Sequence, residues 1–184
     1  MKLLETVPVG LLEVFEHFLQ ELNMSLQDYQ PSNLRIFRKE TATELYYLDG
    51  MQSKILESLD NCNLGFVFGG LQLGWFSAGK TKKKWFFHPT LAFIDSLPPE
   101  KQPSIHLQPK IGQSFLHGQN VRTGNFDNPE TDKDYFLVYT EGILIGLGKI
   151  EKTGELINIT DKGKYIRSER KRYGIKSGKE TRKG

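Results

Sequence analysis

Between Leu97 and Ser104 the chain reads Pro98-Pro99-Glu100-Lys101-Gln102-Pro103. Each proline fixes its own φ, lacks a backbone donor and pushes the residue before it out of the helical region. No helix or central strand runs through such a stretch, so it divides the chain. The two sides differ in texture. Residues 8–22, PVGLLEVFEHFLQEL, put Leu11, Phe15, Phe18 and Leu22 on one helical stripe with Leu12 and Leu19 beside it. That is an amphipathic helix, which has to pack on something. NLRIFRKE and ELYYLDG are strand-like runs around a polar turn, and MQSKILESLDN spaces Met51, Ile55 and Leu59 for a second helix. The segments 65–76 and 85–87 read as further strands, and Pro89 suits the first turn of a short helix carrying Leu91, Ile94 and Leu97. Residues 1–103 are therefore expected to form an α+β domain, an antiparallel sheet with helices. Beyond Pro103, the runs SIHLQ, YFLVYT, ILIGLGKI and ELINIT are separated by Gly, Asn, Asp and Pro, with little room for helices. That is the texture of a small β-barrel-like domain over residues 104–172. Residues 173–184 lack an apolar period and read as a flexible basic tail.

The formal charge of +3 conceals an asymmetry. From Lys162 onward there are ten Lys/Arg against two Glu, so the last 23 residues carry +8 and the body −5. Such a distribution points to a polyanion, nucleic acid first among them, and the alternative is a solvated tail. A hydrophobic content of 38% with 26% charged residues fits a folded chain. No apolar run approaches the roughly 20 residues of a membrane helix. The first dozen residues, with Lys2, Glu5 and Pro8, do not read as a secretory signal. With Cys62 as the single cysteine, an internal disulfide is impossible and a reducing, cytoplasmic compartment is expected.

One motif argues for a different class of protein. GWFSAGKT, Gly74 to Thr81, fits the phosphate-loop pattern G-x-x-x-x-G-K-[ST]. A working phosphate loop lies between a buried strand and a helix whose N-terminus faces the phosphates. Here three lysines, the aromatic run Trp85-Phe86-Phe87 and then a proline follow Thr81, which is no amphipathic helix. LAFID, Leu91 to Asp95, mimics a metal-binding strand end but follows too closely for a crossover helix. The better reading of GKTKKKWFF is a hairpin turn with four lysines that leads into an aromatic strand. Lysines beside aromatics meet an RNA backbone or form a solvated turn, and the sequence leaves both open.

Other catalytic arrangements are weaker. His17, His88, His106 and His117 show no metal-ligand spacing, and Ser114 near His117 has no nucleophile turn around it. The default for these histidines, and for Cys62, is structural. No enzymatic activity, metal or cofactor is expected.

The second half carries a recognisable set. QSFLHGQNVRTG (Gln113–Gly124) contains Phe-Leu-x-Gly followed by Asn-Val and Gly. YFLVYTEGILIGLGKI (Tyr135–Ile150) is a strand, a two-residue turn and a second strand ending Gly-x-Gly-Lys. ITDKGKYIRSE (Ile159–Glu169) closes with Asp-x-Gly-x-Tyr-Ile-Arg. Together these resemble the PUA domain, a small RNA-binding module of mixed β pseudo-barrel fold named after pseudouridine synthase and archaeosine transglycosylase. A PUA-like domain behind an α/β domain of this size resembles the Nip-seven family of ribosome-assembly factors. GKTKKKWFFHPTLAFIDSLP is similar to that family's N-terminal domain. The basic rim and charged tail lean toward an archaeal member.

The resemblance implies a monomeric, non-enzymatic factor that binds rRNA or pre-rRNA, at single-stranded or loop regions, during assembly of the large ribosomal subunit. Its N-terminal domain would meet other assembly proteins; no membrane is involved, and the location is cytoplasmic, or nucleolar if the source is eukaryotic. An accessory subunit that presents RNA to a modifying enzyme is the alternative within the same fold. The implied RNA-binding residues are His117, Gly118, Gln119, Asn120, Arg122, Lys149, Lys152, Lys162, Lys164 and Arg167. Gly118 lets backbone approach a nucleotide, or serves turn geometry alone. Arg122 is suited to phosphate or a base plane. The lysines and Arg167 flank the last strands and are expected to line one face with it.

Overall fold

The computed structural model describes residues 5–38, 42–49, 51–52, 54–55, 70–79, 84–127, 129, 131–164 and 167. After a short strand β1 (Glu5–Thr6), helix α1 spans Val9–Glu21. Its N-terminus, at Pro8, has no side-chain cap, and no charged residue in its end turns complements the dipole. The helix is held instead by its apolar stripe, with Leu11, Phe15, Phe18 and Leu19 buried. Strands β2 (Leu34–Arg38), β3 (Thr43–Tyr47), β4 (Leu71–Ala78) and β5 (Trp85–Pro89) follow, and α2 covers Leu91–Asp95. The first five strands form an antiparallel sheet in the order β1-β2-β3-β4-β5. Alternation sends Leu34, Ile36, Leu45, Phe76 and Phe87 to one face, which α1 and α2 cover. Phe15 stands edge-on to Phe87 at 5.0 Å and tilted to Phe93 at 6.2 Å. Each such buried side chain is worth about 1.5–3 kcal/mol.

Two expectations need correction. Pro89 does not open the short helix: it ends β5, paired with Gly74. Thr90 caps α2, its hydroxyl accepting from the Phe93 N–H at 3.1 Å, because a cap needs a side-chain acceptor that proline lacks. The second half, read as having little room for helices, contains α3 (Pro109–Leu116) between β6 (Ser104–Leu107) and β7 (Tyr135–Thr140). β6 and β7 run parallel, and a parallel pair requires a crossover, which α3 supplies. Of the expected helix at 51–61, only 51–52 and 54–55 are described, as helical backbone with Met51 and Ile55 exposed. The 39–41 turn, Cys62, most of the 65–76 run before β4, and the tail 173–184 lie outside the described residues.

β8 (Ile143–Ile150) and β9 (Leu156–Asp161) complete a mixed sheet of order β6-β7-β8-β9. The β7–β8 turn is Glu141-Gly142, both at positive φ, the geometry of a tight hairpin. Beyond β9, Val121 bridges back to Leu156 and curls that edge. The fold is thus an α+β N-terminal part followed by a PUA-like part. One face of the second sheet packs on α3 through Phe115, Val121, Phe136 and Val138. The other face sends Leu137 and Leu147 into the same core as α1 and the first sheet.

Candidate nucleic-acid interface

The Phe-Leu-x-Gly segment is the C-terminus of α3, where the last carbonyls have no helical partner. Asn158 Nδ2 donates to the Phe115 carbonyl at 2.6 Å, and Arg167 Nη1 donates to that of Leu116. The same guanidinium grips Asp161 with two bonds of 2.8 Å, to Oδ1 and Oδ2. Asp161 is 2% exposed, so its charge depends on this fork. The hydrogen bond that Arg167 donates to Asp161 raises the Arg167 pKa further, against the smaller opposing effect of burial. Gly118, at φ +81°, ends the helix, and a Cβ there would lie 3.2 Å from Arg167 Nη2. A Cβ on Gly163 would collide with the Leu116 carbonyl. The two glycines of the motif therefore have packing reasons: they admit Arg167 and the Asp161–Arg167 segment against α3.

Asn120 is also engaged internally, its Oδ1 accepting from the Asn158 N–H at 3.1 Å. His117, Gln119 and Arg122 are exposed on this fixed segment. Just beyond it, Thr123 Oγ1 donates to the Thr153 carbonyl at 3.4 Å, which ties the loop of Arg122 to the β8–β9 turn of Lys152. Neither cation makes an ion pair among the described residues, and both are exposed.

The expected single basic face is not what forms. Lys149 shares its face of β8 with Leu147, which points toward α1, and its Nζ meets Asp134 at 3.2 Å and lies 5.0 Å from the Tyr135 ring. Burial alone would lower the Lys149 pKa, but Tyr135, Asp134 and Glu21 together raise it. Lys162 pairs with Asp95 of α2 at 2.9 Å, and Lys164 Nζ sits 5.5 Å from the Trp75 ring on β4. The reason is pleat alternation combined with docking on the first sheet: neighbours in sequence are sent to opposite faces and meet different partners. Arg122 and Lys152 sit on loops tied by the Thr123–Thr153 bond, Lys162 and Lys164 lie on the first sheet's side, and Arg167 is spent on Asp161 and Leu116.

The phosphate-loop pattern resolves into an antiparallel hairpin. Gly74 to Ala78 belong to β4, paired with β5, and the Gly79 N–H closes the turn on the Lys84 carbonyl at 2.6 Å. Gly74 is there because a Cβ would overlap the Phe87 ring. Lys80 and Thr81 lie outside the described residues, and the described chain resumes at Lys84 and runs into β5, where phosphate binding requires a helix. On the outer face of the hairpin, His88 Nε2 and Ser77 Oγ are 2.7 Å apart, and the His88 ring stacks on Trp75 at 5.3 Å and 17°. Burial first, then Lys164, lowers the His88 pKa. In the sequence His88 is one of four scattered histidines. The signal was there only as alternation across two strands whose register was unknown.

Residues 103–158 match the family model described as Pseudouridine synthase II TruB, C-terminal. The matched span runs from β6 into β9, and so includes His117 to Arg122, Lys149 and Lys152 but not Lys162, Lys164 or Arg167. It agrees with the PUA-like reading of this half and is silent on the first half. No curated protein matches the chain. Among the described residues no cluster of His, Cys, Asp or Glu is arranged to hold a metal, and no helix is long and apolar enough to cross a membrane.

Proposed function

We propose that this chain is a non-enzymatic RNA-binding factor of the Nip-seven kind that assists assembly of the large ribosomal subunit, with the PUA-like half holding single-stranded or loop rRNA. The observation that carries the reading is the segment from Leu116 to Arg122. It is fixed by Arg167 at the Leu116 carbonyl and by Asn158 at the Phe115 carbonyl and Asn120, while Arg122, and Lys152 on the adjoining loop, are exposed and make no ion pair among the described residues. A rigid segment that presents cations loses little entropy when it meets phosphate. Crosslinking in cells, with sequencing of the bound RNA, tests it: the reads are expected in large-subunit rRNA or its precursor. Reads spread over messenger RNA, with none enriched in rRNA, would sink the assembly role.

The match to a domain of a pseudouridine synthase supports a second reading, an accessory subunit that presents RNA to a modifying enzyme. Mapping rRNA modifications in cells depleted of the protein separates the two. Specific sites losing modification while subunits still assemble favours the accessory role. Precursor accumulation with modification intact favours the assembly role.

A further inference from the structure

Two large aromatics at the end of the β4–β5 hairpin are exposed, Trp85 at 37% and Phe86 at 45%. Lys84 Nζ lies 5.3 Å from the Phe86 ring. Across the ladder Ser77 pairs with Phe86 and Trp75 with His88, so Phe86, Ser77, Trp75 and His88 share the outer face of the sheet. Lys164, from the PUA-like half, reaches Trp75 on that face. The row of rings thus has a cation at each end, one contributed by each half of the chain.

We propose that this hairpin end is a second contact site for single-stranded RNA, with Phe86 stacking on an unpaired base on the outer face, Trp85, opposite Ala78, offering a second ring from the other face of the same exposed end, and Lys84 and Lys164 meeting phosphates on either side of the outer row. The inference rests on the RNA-binding reading above and extends it to the first half of the molecule. Exposed planar rings flanked by ammonium groups suit a strand of bases and phosphates; the centre of a protein–protein contact is depleted in lysine. A base inside a duplex has no free face for such a ring, so the strand must be unpaired there. Lys164 stands three residues before Arg167, which holds the Leu116 carbonyl at the start of the segment that carries Arg122.

The test uses the full chain and a uridine-rich oligonucleotide of about fifteen nucleotides, followed by fluorescence anisotropy. Trp85→Ala with Phe86→Ala is expected to weaken binding at least about fivefold. Trp85→Tyr with Phe86→Tyr, which keeps the rings, retains affinity. Lys84→Gln flattens the dependence of log affinity on log salt by about 0.7. Should the alanine variant fold poorly by thermal melt, ultraviolet crosslinking of the wild type with mass spectrometry decides: uridine adducts on residues 84–88 support the site, and adducts confined to the second half overturn it. If Arg122→Ala with Lys152→Ala weakens binding while the hairpin variants bind like wild type, this inference falls and the proposed function stands. If wild type binds no RNA, both fall.

Discussion

Phe18 on α1 and Tyr135 at the start of β7 meet edge to face, with ring centroids 5.3 Å apart and planes at 75°. This contact joins the first sheet's helix to the second sheet. Around it Lys133 Nζ donates to the Gln20 carbonyl at 2.9 Å, and the Asp134 N–H donates to Glu21 Oε2 at 2.8 Å. With Leu137 and Leu147 in the same core as Phe15 and Phe93, the halves stabilise each other. Phe18→Ala is expected to cost about 3–5 kcal/mol, the usual range for a buried Phe. In calorimetry the whole chain should melt earlier in one transition. A variant in which one half melts early and the other keeps its wild-type midpoint would contradict the shared core.

Removing Arg167 leaves the Asp161 carboxylate buried without its counter-ion and the Leu116 carbonyl without its donor. Because the Arg167 side chain is 34% exposed, water enters and softens the loss, so Arg167→Ala is expected to cost about 2–3 kcal/mol. Arg167→Met combined with Asp161→Leu should cost less than Arg167→Met alone, because no charge is left stranded. Urea denaturation of the single and double variants measures this. Equal or larger loss in the double variant would mean the pair is not coupled.

Arg122 and Lys152 are exposed and make no ion pair among the described residues, whereas Lys149 is committed to Asp134 and Tyr135. Each phosphate contact on a single strand contributes about 0.7 to the salt slope, so Arg122→Ala with Lys152→Ala should flatten it by about 1.4. Lys149→Gln should leave the slope unchanged and lower stability instead. An anisotropy titration in which Lys149→Gln flattens the slope and the double variant does not would reverse the assignment.

His88 gives a pH signature. Its folded pKa lies below the unfolded value near 6.5, so folding favours the neutral ring. The associated stability is complete above the unfolded pKa and is lost as pH falls through the folded one. Between about pH 7 and 5.5, the melting midpoint of wild type should therefore fall more than that of His88→Gln, in which the titrating ring is gone. Parallel curves for the two proteins would show that burial and the nearby Lys164 do not favour neutral His88.

Gly74 opens the phosphate-loop pattern, yet its place under Phe87 makes it a packing residue. Gly74→Ala forces the ring or the strand pair to shift and should cost about 1–3 kcal/mol. ATP and GTP should not be retained by wild type or variant in equilibrium dialysis. Tight nucleotide retention that Gly74→Ala or Lys80→Ala abolishes would revive the phosphate-loop reading.

Some of this molecule was legible in the chain as written. Phe15, Phe18 and Leu22 sit at helical spacing, and every one is buried, because a period of 3.6 residues is a local property that any core must respect. Strands β2, β3 and β5 to β9 were visible as short aromatic and branched runs bounded by turn residues, which are local too. So was the hairpin reading of GKTKKKWFF, since a phosphate loop requires a helix that the residues after Thr81 cannot make. The candidate site was legible as a set of residue types and not as a surface. Gly118, Asp161, Gly163 and Arg167 formed a recognisable pattern, but the pattern turned out to describe a clamp on the end of α3.

Only the tertiary structure decided which cations are available. Arg167 is consumed by Asp161 and Leu116, Lys149 by Asp134, and Lys162 by Asp95 from the other half, whereas Arg122 and Lys152 remain exposed. Strand register and the docking of one sheet against the other determine these partners, and both arise from contacts distant in sequence. Helix α3 is a milder case: its eight residues carry too short an apolar period to announce themselves, and it is the parallel β6–β7 pair that requires a crossover there. Local periodicity determined which segments are helices and strands; long-range pairing decided which charges face outward.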